Sequence, residues 1–135
     1  MSYKIEDIEG ISTVYGDKLR AAGINTVDML LEKCASKAGR SAIAKETGIS
    51  EKYILKWTNH ADLFRVNGIG PEFSELLEAA GVDTVKELRN RVPANLHAKL
   101  VEVNEAKRLV RRVPSESQVA DMIEQAKGIE PKMTY

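Results

Sequence analysis

Residues 66–82, VNGIGPEFSELLEAAGV, decide how this chain folds. A Gly-Ile-Gly-Pro turn opens a segment in which Phe73, Leu76, Leu77 and Ala80 recur at the i, i+3, i+4, i+7 spacing of an amphipathic helix. Pro71 suits the first helical position, where its fixed φ is already correct and its missing N–H goes unused. Gly81 suits a left-handed cap at the far end. The turn itself permits two readings, a grip for a phosphate or a tight corner between helices.

The same pattern occurs earlier in the chain. Shifting the sequence by 58 positions lays GISTVYGDKLRAAGINTVDML (10–30) over GIGPEFSELLEAAGVDTVKEL (68–88), with nine of 21 residues identical. Among them are the pairs Gly10/Gly68, Ile11/Ile69, Gly23/Gly81 and Thr26/Thr84, and Tyr15/Phe73 keeps its aromatic character. Downstream, SEKYILKWTNHA (50–61) corresponds to SESQVADMIEQA (115–126) at an offset of 65, so seven extra residues enter the second copy near 105–113. The chain therefore reads as a tandem duplication, with units at 1–62 and 63–128 and a flexible tail at 129–135.

Each unit is predicted to be a string of short helices. A short helix at 5–9 leads in, Ser12 and Thr26 cap the next two, Pro93 opens another, and Thr84/Glu87 and Ser115/Gln118 have capping-box spacing. No segment sustains the alternation of a strand, so the expected class is all-α.

The 20 basic and 20 acidic side chains cancel, yet their distribution is uneven. Net charge is −3 over 1–85, +5 over 86–112 and −2 over 113–135. The densest basic run, KRLVRR, places Lys107, Arg108, Arg111 and Arg112 at i, i+1, i+4, i+5, which predicts a single basic helical face with Leu109, Val110 and Val113 left to pack. Arg89, Arg91, His97 and Lys99 are candidates to extend it; a solvated charged face is the alternative. The single cysteine, Cys34, cannot form an intrachain disulfide and is expected to be buried filler. No apolar run has the length of a secretion signal or membrane span, and the expected setting is the cytoplasm.

Hydrophobic-x-Gly-hydrophobic-Gly at a helix junction resembles the helix-hairpin-helix family. VNGIG (66–70) matches that hairpin in full, and IEGIS (8–12) matches it with Ser12 at the second glycine. With the AAGI and AAGV segments and the TV helix starts, the likeness extends over about residues 3–127. It is similar to tandem modules of small bacterial proteins that contain a domain of unknown function. The resemblance implies tandem helix-hairpin-helix repeats of short helices packed into one compact unit. In such a hairpin Gly68 takes a positive φ, Ile69 plugs the core and Gly70 allows close backbone approach. Turn amides at a helix N-terminus then hold a DNA phosphate. The resemblance thus implies phosphate binding at Gly10, Ile11, Ser12, Gly68, Ile69 and Gly70. It implies no cofactor, apart from a monovalent cation on hairpin carbonyls. Glu72, Glu75 and Glu78 stand against the second grip, since carboxylates there repel a phosphodiester; near the first lie Thr13, Lys18 and Arg20, with Asp17 between them.

SAIAKETGISEKYILKW (41–57) also resembles the helix-turn-helix of bacterial regulators. Ala44 would face the partner helix, Gly48 and Ile49 would make the turn, and Ile54 and Trp57 would be buried. Ser50, Glu51, Lys52, Tyr53 and Lys56 would then face a major groove. Helix-Gly-helix corners also serve packing alone. No nucleophile, base and orienting acid stand in a recognisable order, and Cys34, His60 and His97 lack metal-ligand spacing. The expectation is a non-catalytic module that binds DNA or other nucleic acid through backbone phosphates, with a protein-interaction scaffold as the alternative partner class.

Overall fold

The computed structural model describes residues 3–135, and all its regular elements are helical. After a single 3-10 turn at Ile5–Asp7 come α1 (Thr13–Ala21), α2 (Val27–Cys34), α3 (Lys37–Thr47) and α4 (Glu51–Leu63). They are followed by α5 (Pro71–Ala79), α6 (Val85–Leu88), α7 (Pro93–Lys107) and α8 (Glu116–Lys127). Among the described residues the only β-type pairing is an isolated bridge between Lys4 and Thr26.

Local chemistry explains most of these boundaries. Ser12, Thr26, Ser36, Thr84 and Ser115 each accept a first-turn amide with a side-chain oxygen, satisfying a donor that has no intrahelical partner. Ser115 and Gln118 complete a reciprocal capping box, at 3.2 and 2.8 Å. Thr84 accepts from the Glu87 amide at 3.3 Å, but the Glu87 carboxylate turns to Arg91 rather than back to the cap. α1 and α5 end alike. The Ile24 amide reaches the Leu19 carbonyl at 2.9 Å and that of Val82 reaches Leu77 at 2.8 Å, each across a glycine of positive φ, Gly23 or Gly81. This is the 6→1 bond of a Schellman cap.

The chain divides into two compact units. The first comprises Met1–Asp62 and Lys132–Tyr135, the second Leu63–Pro131. In the first, Ile5, Leu19, Ile24, Leu30 and Ile54 are fully buried and α2 packs on α3. In the second, α7 packs on α8 and α5, enclosing Leu76, Leu88, Leu96, Leu100 and Ile123.

Three local readings of the sequence differ from what the chain does. The lead-in helix stops at Asp7, because the backbone turns through Glu9 and Gly10. KRLVRR is not a helical face. α7 ends at Lys107, Arg108 adopts a left-handed conformation at φ 50°, and residues 108–115 carry no helix. The residues expected to form a loose tail include 132–135, which are tied down. The Thr134 amide donates to the Ala35 carbonyl at 2.9 Å, Met133 is buried, and the Tyr135 hydroxyl lies 3.4 Å from Asn59 Oδ1. Their anchor is Arg40. Its buried guanidinium donates to the carbonyls of Cys34, Ala35 and Thr134 and lies 5.5 Å from the Tyr135 ring centroid.

Candidate nucleic-acid interface

The two glycine corners share their backbone geometry. Gly10 has φ 95° and Gly68 φ 96°, values an L side chain rarely adopts. The amides of Ile11 and Ile69 each donate 3.1 Å to the carbonyl three residues back, Ile8 and Val66, and both isoleucine side chains are buried plugs. The corners differ at the start of the helix that follows. Ser12 caps α1 by accepting from the Tyr15 amide, at 3.5 Å. Gly70 provides no side-chain cap for α5, and Pro71 has no N–H, so the amides of Glu72 and Phe73 remain for an outside acceptor. Gly68, Gly70, Pro71, Glu72 and Phe73 line one open hollow.

The basic run joins this region through Glu72. A cavity of about 600 Å³ is lined by Glu72, Asn104, Glu105, Arg108 and Arg111 with apolar neighbours such as Val101 and Val110. Asn104 holds the turn that shapes it. Its main-chain carbonyl accepts from the Arg108 amide at 2.8 Å, while its side-chain amide exchanges two 3.0 Å bonds with the backbone of Val110. Val110 and Pro114 are buried and Leu109 is partly so, leaving Lys107, Arg108, Arg111 and Arg112 exposed. Among the described residues, none of these four cations makes an ion pair or a side-chain hydrogen bond. Asn104 was not among the sequence candidates; an Asn followed six residues later by a buried Val leaves no periodic trace.

The other basic residues of 86–112 do not join them equally. Arg91 is committed to Glu87 at 2.8 Å and to the Gly81 carbonyl at 3.0 Å, Lys99 sits 3.9 Å from Glu102, and Arg89 and His97 are half-buried. At the first corner Arg20 is taken by Glu6 at 2.6 Å and Asp17 at 2.7 Å. That contact holds the Glu6 carboxyl below its ordinary range. The exposed Val14 stands where the second unit has Glu72, so the first corner lacks the carboxylate that faces the second.

The helix-turn-helix positions fold locally as read. Gly48 turns at φ 74°, Ile49, Ile54 and Trp57 are buried, and Ser50, Glu51, Lys52, Tyr53 and Lys56 are exposed on or beside α4. Ser41 donates to the Glu51 carboxylate at 2.9 Å, linking α3 to α4. Cys34 is fully buried, and burial pushes its thiol up to about 11, far from a reactive thiolate. His60 is buried and His97 half-buried. Among the described residues there is no His, Cys, Asp and Glu cluster able to hold a metal, and no helix is long and apolar enough to cross a membrane.

No curated protein and no solved structure matches the chain. One family model does, over residues 9–129, which includes both glycine corners and the basic turn. The chain belongs to the family described as Domain of unknown function (DUF4332).

Proposed function

We propose that the chain is a non-catalytic module of two helix-hairpin-helix units that holds DNA or another nucleic acid by its backbone phosphates, without strong sequence preference. The observation that carries this reading is in the second unit. Arg108 and Arg111 open onto the same cavity as Glu72, whose amide belongs to the uncapped N-terminus of α5. Cations without partners beside free turn amides are the chemistry that grips a phosphodiester. Lys107 and Arg112 flank the cavity and extend the positive surface. The shared φ of Gly10 and Gly68 supports reading both corners as hairpins of one kind, with Gly10, Ile11 and Ser12, where Ser12 already caps a first-turn amide, as the counterpart of Gly68, Ile69 and Gly70.

A second reading has its own support. Glu72 and Glu105 sit in the cavity with the two arginines, and such a mixed-charge surface also suits a protein partner. Titrating labelled duplex at about 50 mM salt and above separates the two. Replacing Lys107, Arg108, Arg111 and Arg112 by alanine should flatten the log–log salt slope by up to about 0.9 for each phosphate no longer neutralised. Glu72→Gln should tighten duplex binding by removing a repelled charge. Absence of duplex binding at low salt, or binding that Glu72→Gln weakens, would overturn the phosphate reading.

A further inference from the structure

We propose that the aromatic face of the first unit, Tyr15, Tyr53 and Trp57, is a stacking platform for an unpaired base of single-stranded nucleic acid. This deepens the nucleic-acid reading and rests on it, but uses a surface with no part in the basic turn.

The three rings form one cluster. Tyr53 lies nearly parallel to the Trp57 indole, at 19° with centroids 6.0 Å apart, and Tyr15 leans on Trp57 at 5.2 Å and on Tyr53 at 6.2 Å. Burial is graded across it. Trp57 is 2% exposed, Tyr15 is half-buried and Tyr53 is 46% exposed. Tyr53 thus carries an offset stack from the core to solvent, and a base laid on it would continue that stack.

Packing does not require three aromatics at this place. The matching positions of the second unit are Phe73, Gln118 and Met122. There Met122 closes over Gly68, its methyl 3.4 Å from where a Cβ would lie, as Trp57 Nε1 closes over Gly10 at 3.2 Å. Met122 and Phe73 meet the structural need, while Gln118 is an exposed cap residue with no ring. The first unit therefore presents an aromatic surface beyond what its corner uses.

The surrounding charge suits a polyanion. Lys52 and Lys56 flank Tyr53 at i−1 and i+3 on α4, and Lys18 stands three residues beyond Tyr15 on α1, all exposed. Of the three acids on the same two helices, Asp62 is buried, Asp17 pairs with Arg20 and Glu51 accepts a hydrogen bond from Ser41. Exposed tyrosine between lysines binds single strands by stacking, tolerant of sequence because every base offers a π-face. A duplex keeps its bases stacked on one another and would not use it.

The test uses the full chain with three probes of equal length: oligothymidylate, an abasic strand and a duplex. Tyr53→Ala should weaken oligothymidylate binding about 5- to 150-fold, the range found for one stacked base, while abasic-strand and duplex binding stay unchanged; Tyr53→Phe should restore the affinity. Oligothymidylate should quench Trp57, the one tryptophan of the chain, and the abasic strand should not. If the chain binds all three probes but Tyr53→Ala leaves oligothymidylate affinity intact, the platform is wrong and the phosphate reading stands. If Tyr53→Ala instead abolishes self-association, or binding of a proline-rich peptide, with oligothymidylate unaffected, the surface belongs to a protein partner. Binding to no probe at low salt overturns both.

Discussion

Gly10 leaves the space that Trp57 fills: a Cβ added at Gly10 would lie 3.2 Å from the indole Nε1, on a backbone with φ 95°. Gly68 stands in the same relation to Met122. The two sequence offsets, 58 for the corners and 65 for the later helices, thus converge on one pair of contacts. Gly10→Ala is expected to cost about 1–3 kcal/mol, from the disallowed φ and the contact together. Gly68→Ala should cost less, because the methyl end of Met122 can yield. Urea unfolding of both variants, with the midpoints compared, checks the order.

Arg108 breaks a local rule, since a left-handed helix cap favours glycine or asparagine. Arg108→Gly should stabilise the second unit by up to about 1 kcal/mol by relieving that strain. The same change should weaken binding of polyanions. A melting temperature that rises while duplex affinity falls is the expected signature of strain kept for a contact with a ligand.

Arg40 carries its charge into the first unit with no carboxylate partner among the described residues, satisfied by three carbonyls and one ring. Arg40→Ala is expected to lose about 3 kcal/mol, as the carbonyls of Cys34, Ala35 and Thr134 give up a charge-assisted donor. Arg40→Lys should recover only part of it, because an ammonium lacks the planar fork that reaches separate acceptors. Trp57 fluorescence during denaturant unfolding reports both.

The Cys34 thiol, ordinarily near 9.0 and pushed to about 11 by burial, links stability to alkaline pH. A raised folded pKa means that the stabilisation is complete below about pH 9, where the thiol is neutral in both states. It is lost as pH rises through 9 to 11, because the unfolded thiol ionises first. The loss should be on the order of 2–3 kcal/mol. Comparing the pH dependence of unfolding in the wild-type chain and in Cys34→Ala isolates it, since lysines and tyrosines titrate alike in both. Thiol reagents at pH 8 should modify the native chain only through opening.

The features legible in the sequence are those whose cause is local. Gly10, Gly23, Gly48, Gly68 and Gly81 all take positive φ, and the Ser and Thr caps sit where their side chains meet first-turn amides. Pro71 and Pro93 begin helices because only the first turn tolerates them. The buried Trp57 and Cys34 also follow from their surroundings. The end of α7 was not legible, because KRLVRR has acceptable helical periodicity and is broken by bonds between residues six apart, Asn104 with Val110. Arg40 was not legible either. Nothing near it in sequence marks an arginine whose acceptor lies at Thr134. Within the candidate site, the cations were identifiable by charge count alone, whereas their arrangement as a turn depends on burial of Val110 and Pro114.

Arg40 and Thr134 are 94 residues apart, and the whole of 63–131 lies in the loop their contact closes. The cost of closing a loop grows only with the logarithm of its length, so the contact is feasible but late. The second unit is contiguous and can collapse on near-neighbour contacts while the first is still incomplete. During synthesis the carbonyls of Cys34 and Ala35 are within reach of Arg40 early, whereas its third acceptor arrives only with Thr134. We therefore expect folding order to run against chain order, the unit that begins first finishing last, and pulse-labelled hydrogen exchange should protect amides of 63–131 before those of the first unit.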